Sequence, residues 1–590
     1  MFLDKRKSCL VAGSVGLLCL VLNYEKLTPL ISDRVVAVEK IEQIGEERLT
    51  SCEDSCEELC VKLITYEEAP VAYDDGTNTI YIPQNLYEEN WEGRLKTKEG
   101  KLFFEENEWL DDKKKAISEG NKFKLYLVKD DVCHAYNLVF TGMPIMCLNS
   151  EEMYQNEEGT EVFVGEVQVY DHYSEGTKLQ IADCEYHIRG NTSIGYEKVG
   201  YKLELTEEDL PLLGLREDED WILNALYDDA GLVHNKLSYM MWQEIASYNG
   251  VKNDEGVDMQ FVEVFIDDEY VGVYGLTERV DQKTLSLNRN DILYKCRSDR
   301  IPEEHNFTNE ETDGWRPIFL LKYPKNPTQE DWEPLKQWSN YFYKEQFNTY
   351  EEGAALLNME NTVDFNIFTL LISGVDNMRK NAFLIAEYQN DGSYLFKKVP
   401  WDMNATWGNP WVDNKDSNFT LYDPAYIRDV NTWYTDLSTL YFYDETRVSQ
   451  LLRDRWWELR QNDVVTKEKI CGMIDSVFGY LHDSGAYKRN YERWSHGSEY
   501  WQDEYIYEYV DGRIDFLDGY FNQLYQDTVT PAEFLDIDYA AEFDARTYWT
   551  KNYETLSELY DYDRQVLLEH YVNYGRPAGL IAKKVPEGTG

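Results

Sequence analysis

Asp376 and Asn381 stand five residues apart in Asp376-Asn377-Met378-Arg379-Lys380-Asn381, and a two-strand pattern then leads into Pro400-Trp401-Asp402. No other stretch constrains the fold as tightly. Beyond Leu356 the pattern is mainly helical, and this hairpin, Ala382 to Val399 with Asn390-Asp391-Gly392 as its turn, interrupts it. Asn-Asp-Gly is turn chemistry, because these residues tolerate the positive φ that a tight hairpin needs. One hairpin is thus set into a helical half, with an acid and an amide on the way in and an acid on the way out. Taken singly, Asp376 reads as a helix cap and Asp402 as a turn after a strand. Their order makes them candidates.

A length of 590 residues predicts several domains and ample room for a core. The net charge of −52 excludes an electrostatic nucleic-acid binder, which needs a basic face, and equally disfavours docking on anionic lipid. It reads as a solvated acidic surface. The 46 Tyr and 16 Trp fit a large aromatic core and a carbohydrate-handling protein equally well, so they decide nothing.

At the N-terminus Lys5-Arg6-Lys7 precedes an apolar stretch from Cys9 to Leu22, and the chain turns polar at Asn23. A basic flank before a short apolar segment reads as a signal peptide or a cytoplasm-in signal-anchor for residues 1–24. With no small-x-small site after the stretch, an uncleaved anchor is the expectation, and the rest of the chain is exported. Cys52, Cys56 and Cys60 recur every four residues in a helix-like segment, Val38 to Tyr66, and would share one helical face. One helical face does not readily close a disulfide within itself, which leaves metal binding, partner-chain disulfides or a buried stripe. Cys133 and Cys147 flank a hairpin pattern and could pair, while Cys184, Cys296 and Cys471 stand alone.

Five segments follow: a leader (1–24), a helical stalk (25–66), a β-rich module (67–148), a main domain (149–527) and a small helical unit (530–590). The β-rich module carries short strand-like runs such as Ile80-Tyr81-Ile82 and Phe123 to Val128 between Gly and Asp turns. In the main domain, Val162 to Val169 and Tyr186 to Leu205 read as strands, Asp229 to Tyr248 as an amphipathic helix and Phe261 to Glu278 as a hairpin. The final unit, opened by Phe543-Asp544 and closed by Tyr574-Gly575-Arg576, resembles a small module appended to exported bacterial proteins.

Chemistry enters with the order of the parts. Arg189-Gly190-Asn191-Thr192-Ser193-Ile194-Gly195 lies between two strands, where a glycine turn can bring backbone N–H groups against phosphates. Lys198 follows on the next strand beside Tyr201, and Lys202, four residues on, would share its face. Alone, the glycines mark a turn and the lysine is one of many. Glycine loop, strand lysine, helix, hairpin, helical half, Asp-x4-Asn, hairpin and Asp are, however, the sequential parts of a phosphoryl-transfer fold.

The same residues carry a family likeness. Tyr186 to Ser193 with Lys198 and Tyr201, Asp220-Trp221-Ile222-Leu223 through Asn235-Lys236-Leu237, and Phe261-Val262-Glu263-Val264 with Gly272-Val273-Tyr274 and Glu278 match in order. With Asp376 to Asn381 and Pro400-Trp401-Asp402, they resemble the spore-coat protein H (CotH) kinases, atypical exported kinases. The likeness runs from about Pro144 to Tyr525. It implies an α+β, atypical protein-kinase-like fold with a β-rich N-lobe and a helical C-lobe. It also implies ATP and Mg²⁺ or Mn²⁺ as cofactors and transfer to exposed Ser or Thr of a protein substrate. By the resemblance Asp376 is the base, Asn381 and Asp402 hold metal, and Gly190, Asn191, Ser193, Lys198 and Glu278 face the nucleotide. The membrane is met only through the N-terminal anchor, at an extracytoplasmic, cell-surface or secreted location.

Three departures from the family pattern stand out: Asn404 where a second aspartate follows Pro-Trp-Asp, His234 where an arginine is usual, and Val199-Gly200 after Lys198. Asn404 motivates a competing reading, a weakened kinase fold used for surface binding. A second keeps the fold and transfers AMP or an amino acid. A glycosidase, which needs two carboxylates across a sugar cleft, finds no nominated pair.

Overall fold

The computed structural model describes residues 35–37, 41–45, 58–91, 93–105, 112–130, 132–173, 178–250, 256–298, 300, 302–303, 307–310, 317–344, 349–378, 380–409, 424–425, 436–494, 504–557, 559–560 and 562–583. Helices and strands segregate along them, an α+β chain. They fall into two compact units. The first takes Met1–Ala225, Gln260–Leu276 and Gly479–Ser495; the second takes Leu226–Met259, Thr277–Phe478 and His496–Gly590. The expected leader, 1–24, lies outside the described residues, and among those residues no helix is long and apolar enough to cross a membrane.

Among the described residues sixteen strands lead through the first unit. Strands β1 (Val35–Ala37), β2 (Ile64–Tyr66), β3 (Ala69–Pro70) and β6 (Arg94–Thr97) form one sheet in the order β1-β6-β2-β3. A second sheet has the order β4-β5-β9-β8-β7, from β4 (Ala72–Asp74), β5 (Thr79–Pro83), β7 (Lys101–Phe104), β8 (Lys122–Lys129) and β9 (Val132–Thr141). Ile80, Ile82, Leu125, Leu127 and Leu138 fill the core beneath these sheets. The helix read across Val38 to Tyr66 is replaced, where described, by one turn at Glu58–Val61 followed by β2. The β-branched pair Ile64-Thr65 finds ladder partners in Thr97 and Lys96, and that pairing overrides the four-residue period.

The remaining seven strands close a barrel: β10 (Ile145–Gln155), β11 (Glu161–Tyr170), β12 (Leu179–Arg189), β13 (Gly200–Leu205), β14 (Asp220–Asn224), β15 (Met259–Ile266) and β16 (Glu269–Glu278). Closure comes from a parallel pairing of β10 with β15, Ile145 opposite Glu263 through Leu148 opposite Ile266. Strand β10 runs through residue 149 without a break. Cys147 and Cys184 are free buried thiols, and Cys133 is disulfide-bonded, so the expected Cys133–Cys147 pair does not form. Cys133 lies on β9 and Cys147 on β10, in different sheets. Helix Ala486–Arg493 docks on this unit through Arg489, which donates to both carboxylate oxygens of the fully buried Glu263 at 2.8 Å.

The second unit is mainly helical around the sheet β18-β17-β19-β20, made by β17 (Ile292–Cys296), β18 (Phe319–Tyr323), β19 (Ala382–Tyr388) and β20 (Tyr394–Pro400). Helix Met359–Leu371 is buried on every face from Asn361 to Leu371, the mark of a central helix. Asn358 caps it, accepting from Asn361 N at 3.1 Å. Asn361 then grips β20, accepting from Lys398 N (2.7 Å) and donating to Lys398 O (3.0 Å), so hairpin and helix are locked together. Helix His234–Tyr248 starts five residues later than its periodicity suggests. Leu232 has φ +59°, and the Asp229 carboxylate takes the N–H of His234 at 2.9 Å, which stops the helix there. At the C-terminus the hairpin of β21 (Glu533–Phe534) and β22 (Ile537–Asp538) precedes helices Ala545–Lys551 and Arg564–His570 around Tyr548, Leu567 and Leu568.

Candidate active site

The hairpin register builds the centre of the second unit. Ala382 pairs with Pro400, so the residues flanking the open end, Asn381 and Trp401-Asp402, are brought side by side. Trp401 N donates to Asn381 O at 3.0 Å. Central helix Met359–Leu371 delivers the third member: the chain turns off it at Ser373 (φ +50°), and a single turn, Val375–Asn377, carries Asp376. Asn381 Nδ2 donates to Asp376 Oδ2 at 2.9 Å, and Lys380 Nζ lies 2.8 Å from Asp376 Oδ1. A carboxylate only accepts, so the amide of Asn381 turns its NH₂ toward Asp376 and its carbonyl oxygen away.

One residue that sequence spacing did not single out fastens this arrangement. Asn377 is buried, and its Nδ2 donates to the carbonyls of Trp401 (2.9 Å), Asn381 (3.2 Å) and Asp402 (3.4 Å). The carboxyl of Asp402 is exposed, on a backbone at φ +60°, and Asn381 has φ +52°. Left-handed backbone is rare for residues with a Cβ, and Asp and Asn are the ones that tolerate it. Asn235 accepts from Met403 N at 2.8 Å, fixing the segment that follows.

Asp228 is a second residue missed from sequence. Asn404 Nδ2 donates to Asp228 Oδ2 at 2.5 Å, and Asn409 Nδ2 bridges the carbonyls of Asn404 (2.9 Å) and Asp228 (3.3 Å). Burial, and after it the charge of Asp402, push the Asp228 carboxyl up to about 7. The only hint in the sequence is the missing acid at 404.

Glu278 ends β16 and is buried in the second unit, where it accepts from Asp258 N at 2.9 Å. Lys236 Nζ meets Asp258 Oδ1 at 2.7 Å on the same segment. The other expected nucleotide residues belong to the first unit. Gly190 (φ +143°) opens a turn of 3₁₀ helix, Thr192–Gly195, and a Cβ there would lie 2.2 Å from Ser193 Oγ. Asn191 is exposed and Ser193 half-buried. Lys198 lies just before β13 rather than in it, and is 1 % exposed. Its amine donates to the carbonyl of Val273 and to Asn490 Oδ1, the latter at 3.0 Å, and sits 4.5 Å from the Tyr274 ring centre. Burial holds that amine well below the usual lysine range. Gly272 makes the contact possible, since a Cβ there would stand 2.6 Å from Asn490 Oδ1. Lys202, within β13, instead pairs with Asp220 at 2.9 Å and Glu204 at 2.5 Å.

The donors suit a hard divalent cation. Among the described residues no group of three or more His, Cys, Asp and Glu is arranged to hold a metal. Magnesium, though, is held by one or two carboxylates with waters and substrate phosphates. Carboxylates that could hold such an ion are those of Asp402 and Asp228, and the amide oxygens of Asn381 and Asn404 are turned from the acids they bond.

Residues 186–517 match the protein-family model described as CotH kinase protein. No curated protein matches the chain.

Proposed function

The chain belongs to the CotH kinase protein family, and we propose that it is an exported, ATP-dependent protein kinase acting on exposed Ser or Thr of extracytoplasmic proteins. The observation that carries this reading is the Asp376–Asn381–Asp402 centre, held by the hairpin register and the three-way clamp of Asn377. Asp376 accepts the proton of the attacking hydroxyl, and Lys380 beside it offsets charge as phosphate approaches. Asp402 and Asn381 hold Mg²⁺ or Mn²⁺. The bound ion supplies charge neutralisation on the transferring phosphate. Gly190, Asn191 and Ser193 are assigned to the phosphates through the backbone of their turn, and Glu278 to the edge of the nucleotide site. For Lys198 to reach a phosphate it would exchange Val273 and Asn490 for it.

That enclosed lysine favours a second reading, a surface-binding protein on the same fold without nucleotide. The two separate on one experiment. The exported portion is incubated with γ-labelled ATP and Mg²⁺ or Mn²⁺, comparing wild type with Asp402→Ala. Label in the protein or an added acceptor, lost in the variant, supports the kinase. Absence of both label and metal-dependent ATP binding sinks it in favour of the second reading.

A further inference from the structure

We propose that Asp228 is the second carboxylate ligand of the divalent-cation site, brought in from the segment before helix His234–Tyr248 to stand where the Pro-Trp-Asp segment carries Asn404. The assignment rests on the kinase reading above and deepens it. Asn404 cannot contribute a charge, and its NH₂ is committed to Asp228 Oδ2 at 2.5 Å. The hydrogen bond therefore couples two groups: the amide carbonyl of Asn404 and the carboxylate of Asp228. Asn409 holds the backbones of both from behind, at 2.9 and 3.3 Å, so the pair is fixed rather than met by chance. Asn404 stands two residues after Asp402, so its hydrogen bond ties the Asp228 carboxylate to the segment that carries Asp402. A cation site gains from both, because ligand charge count sets affinity for hard divalent ions.

The test is Mn²⁺ binding to the exported portion, measured by titration calorimetry and by loss of the free-ion paramagnetic resonance signal. Four proteins are compared: wild type, Asp402→Asn, Asp228→Asn and the swap Asp228→Asn/Asn404→Asp. Asn at 228 can still accept from the Asn404 amide, so the single variant removes charge and keeps the hydrogen bond. Thermal melts without metal establish that each variant is folded. Asp402→Asn and Asp228→Asn are each expected to weaken Mn²⁺ by about tenfold or more, and the swap to recover to within about threefold of wild type. Asp228→Asn within about twofold of wild type, with Asp402→Asn impaired, overturns the role of Asp228 and leaves the kinase site standing. A swap that binds no better than Asp228→Asn also overturns it. Wild type that neither binds Mn²⁺ nor transfers phosphate fails at the earlier step, and takes the proposed function with it.

Discussion

Lys198 and Asp402 were both singled out by their place in a motif, and the two units treat them in opposite ways. Lys198 is enclosed: a carbonyl, an amide oxygen and an aromatic face, all from the first unit, surround its amine. Asp402 is exposed, and Asn377 and Asn235 fix the backbone around it, at the Asp402 carbonyl and the Met403 N–H. A group satisfied from within is doing structural service. A group whose backbone is fixed and whose polar end faces outward is placed to meet something else. Burial and hydrogen-bond partners separate these cases, where residue type and spacing cannot.

Substitutions test that contrast. Asp402→Ala and Asp376→Asn are expected to lower phosphate transfer by about a thousandfold while leaving the melting temperature within a few degrees, because neither fills a core. Rates from γ-labelled ATP beside thermal melts check both halves of that statement. Arg489→Leu reverses the pattern: it strands the buried carboxylate of Glu263 and is expected to cost about 3–5 kcal/mol in denaturant unfolding of the first unit. Lys198→Met should behave like Arg489→Leu in kind but less in size, about 1–3 kcal/mol, since Asn490 keeps its bond from Val273 N. If Lys198→Met instead leaves stability untouched and abolishes ATP binding, the lysine belongs with Asp402 and the contrast fails. Asn377→Ala should fall between the two classes, losing about tenfold in rate and about 1–2 kcal/mol, because one side chain both packs and positions. Stopped-time transfer assays and urea melts on the same preparation measure it.

The hairpin, and the meeting of residues at its open end, were readable because local chemistry decided them. Asn390-Asp391-Gly392 set the turn, the turn set the register, and the register set Asn381 beside Asp402. The hairpin β15–β16 was readable for the same reason: Asp267 and Asp268 occupy its turn at φ +49° and +63°. Asp228 was not readable, since its partner Asn404 is 176 residues away and only the tertiary fold brings them together. Nor was the fate of Lys198, which depends on Asn490, 292 residues on. Of the helix expected over Val38 to Tyr66, the described residues 58–66 hold one helical turn and then β2, whose pairing with β6 outweighs the four-residue period there. For Asp228, Lys198 and β2 the deciding contact was long-range, and for the two hairpins it was closed within one turn.

In the proposed reaction Asp376 takes a proton from a hydroxyl as phosphate moves onto it. Intact-mass analysis of a Ser/Thr acceptor peptide, incubated with ATP, Mg²⁺ and the exported portion, tests it most directly. Wild type is expected to add a phosphate group, and Asp376→Asn none. Equal addition by both proteins, or an added AMP or amino acid in place of phosphate, would contradict it.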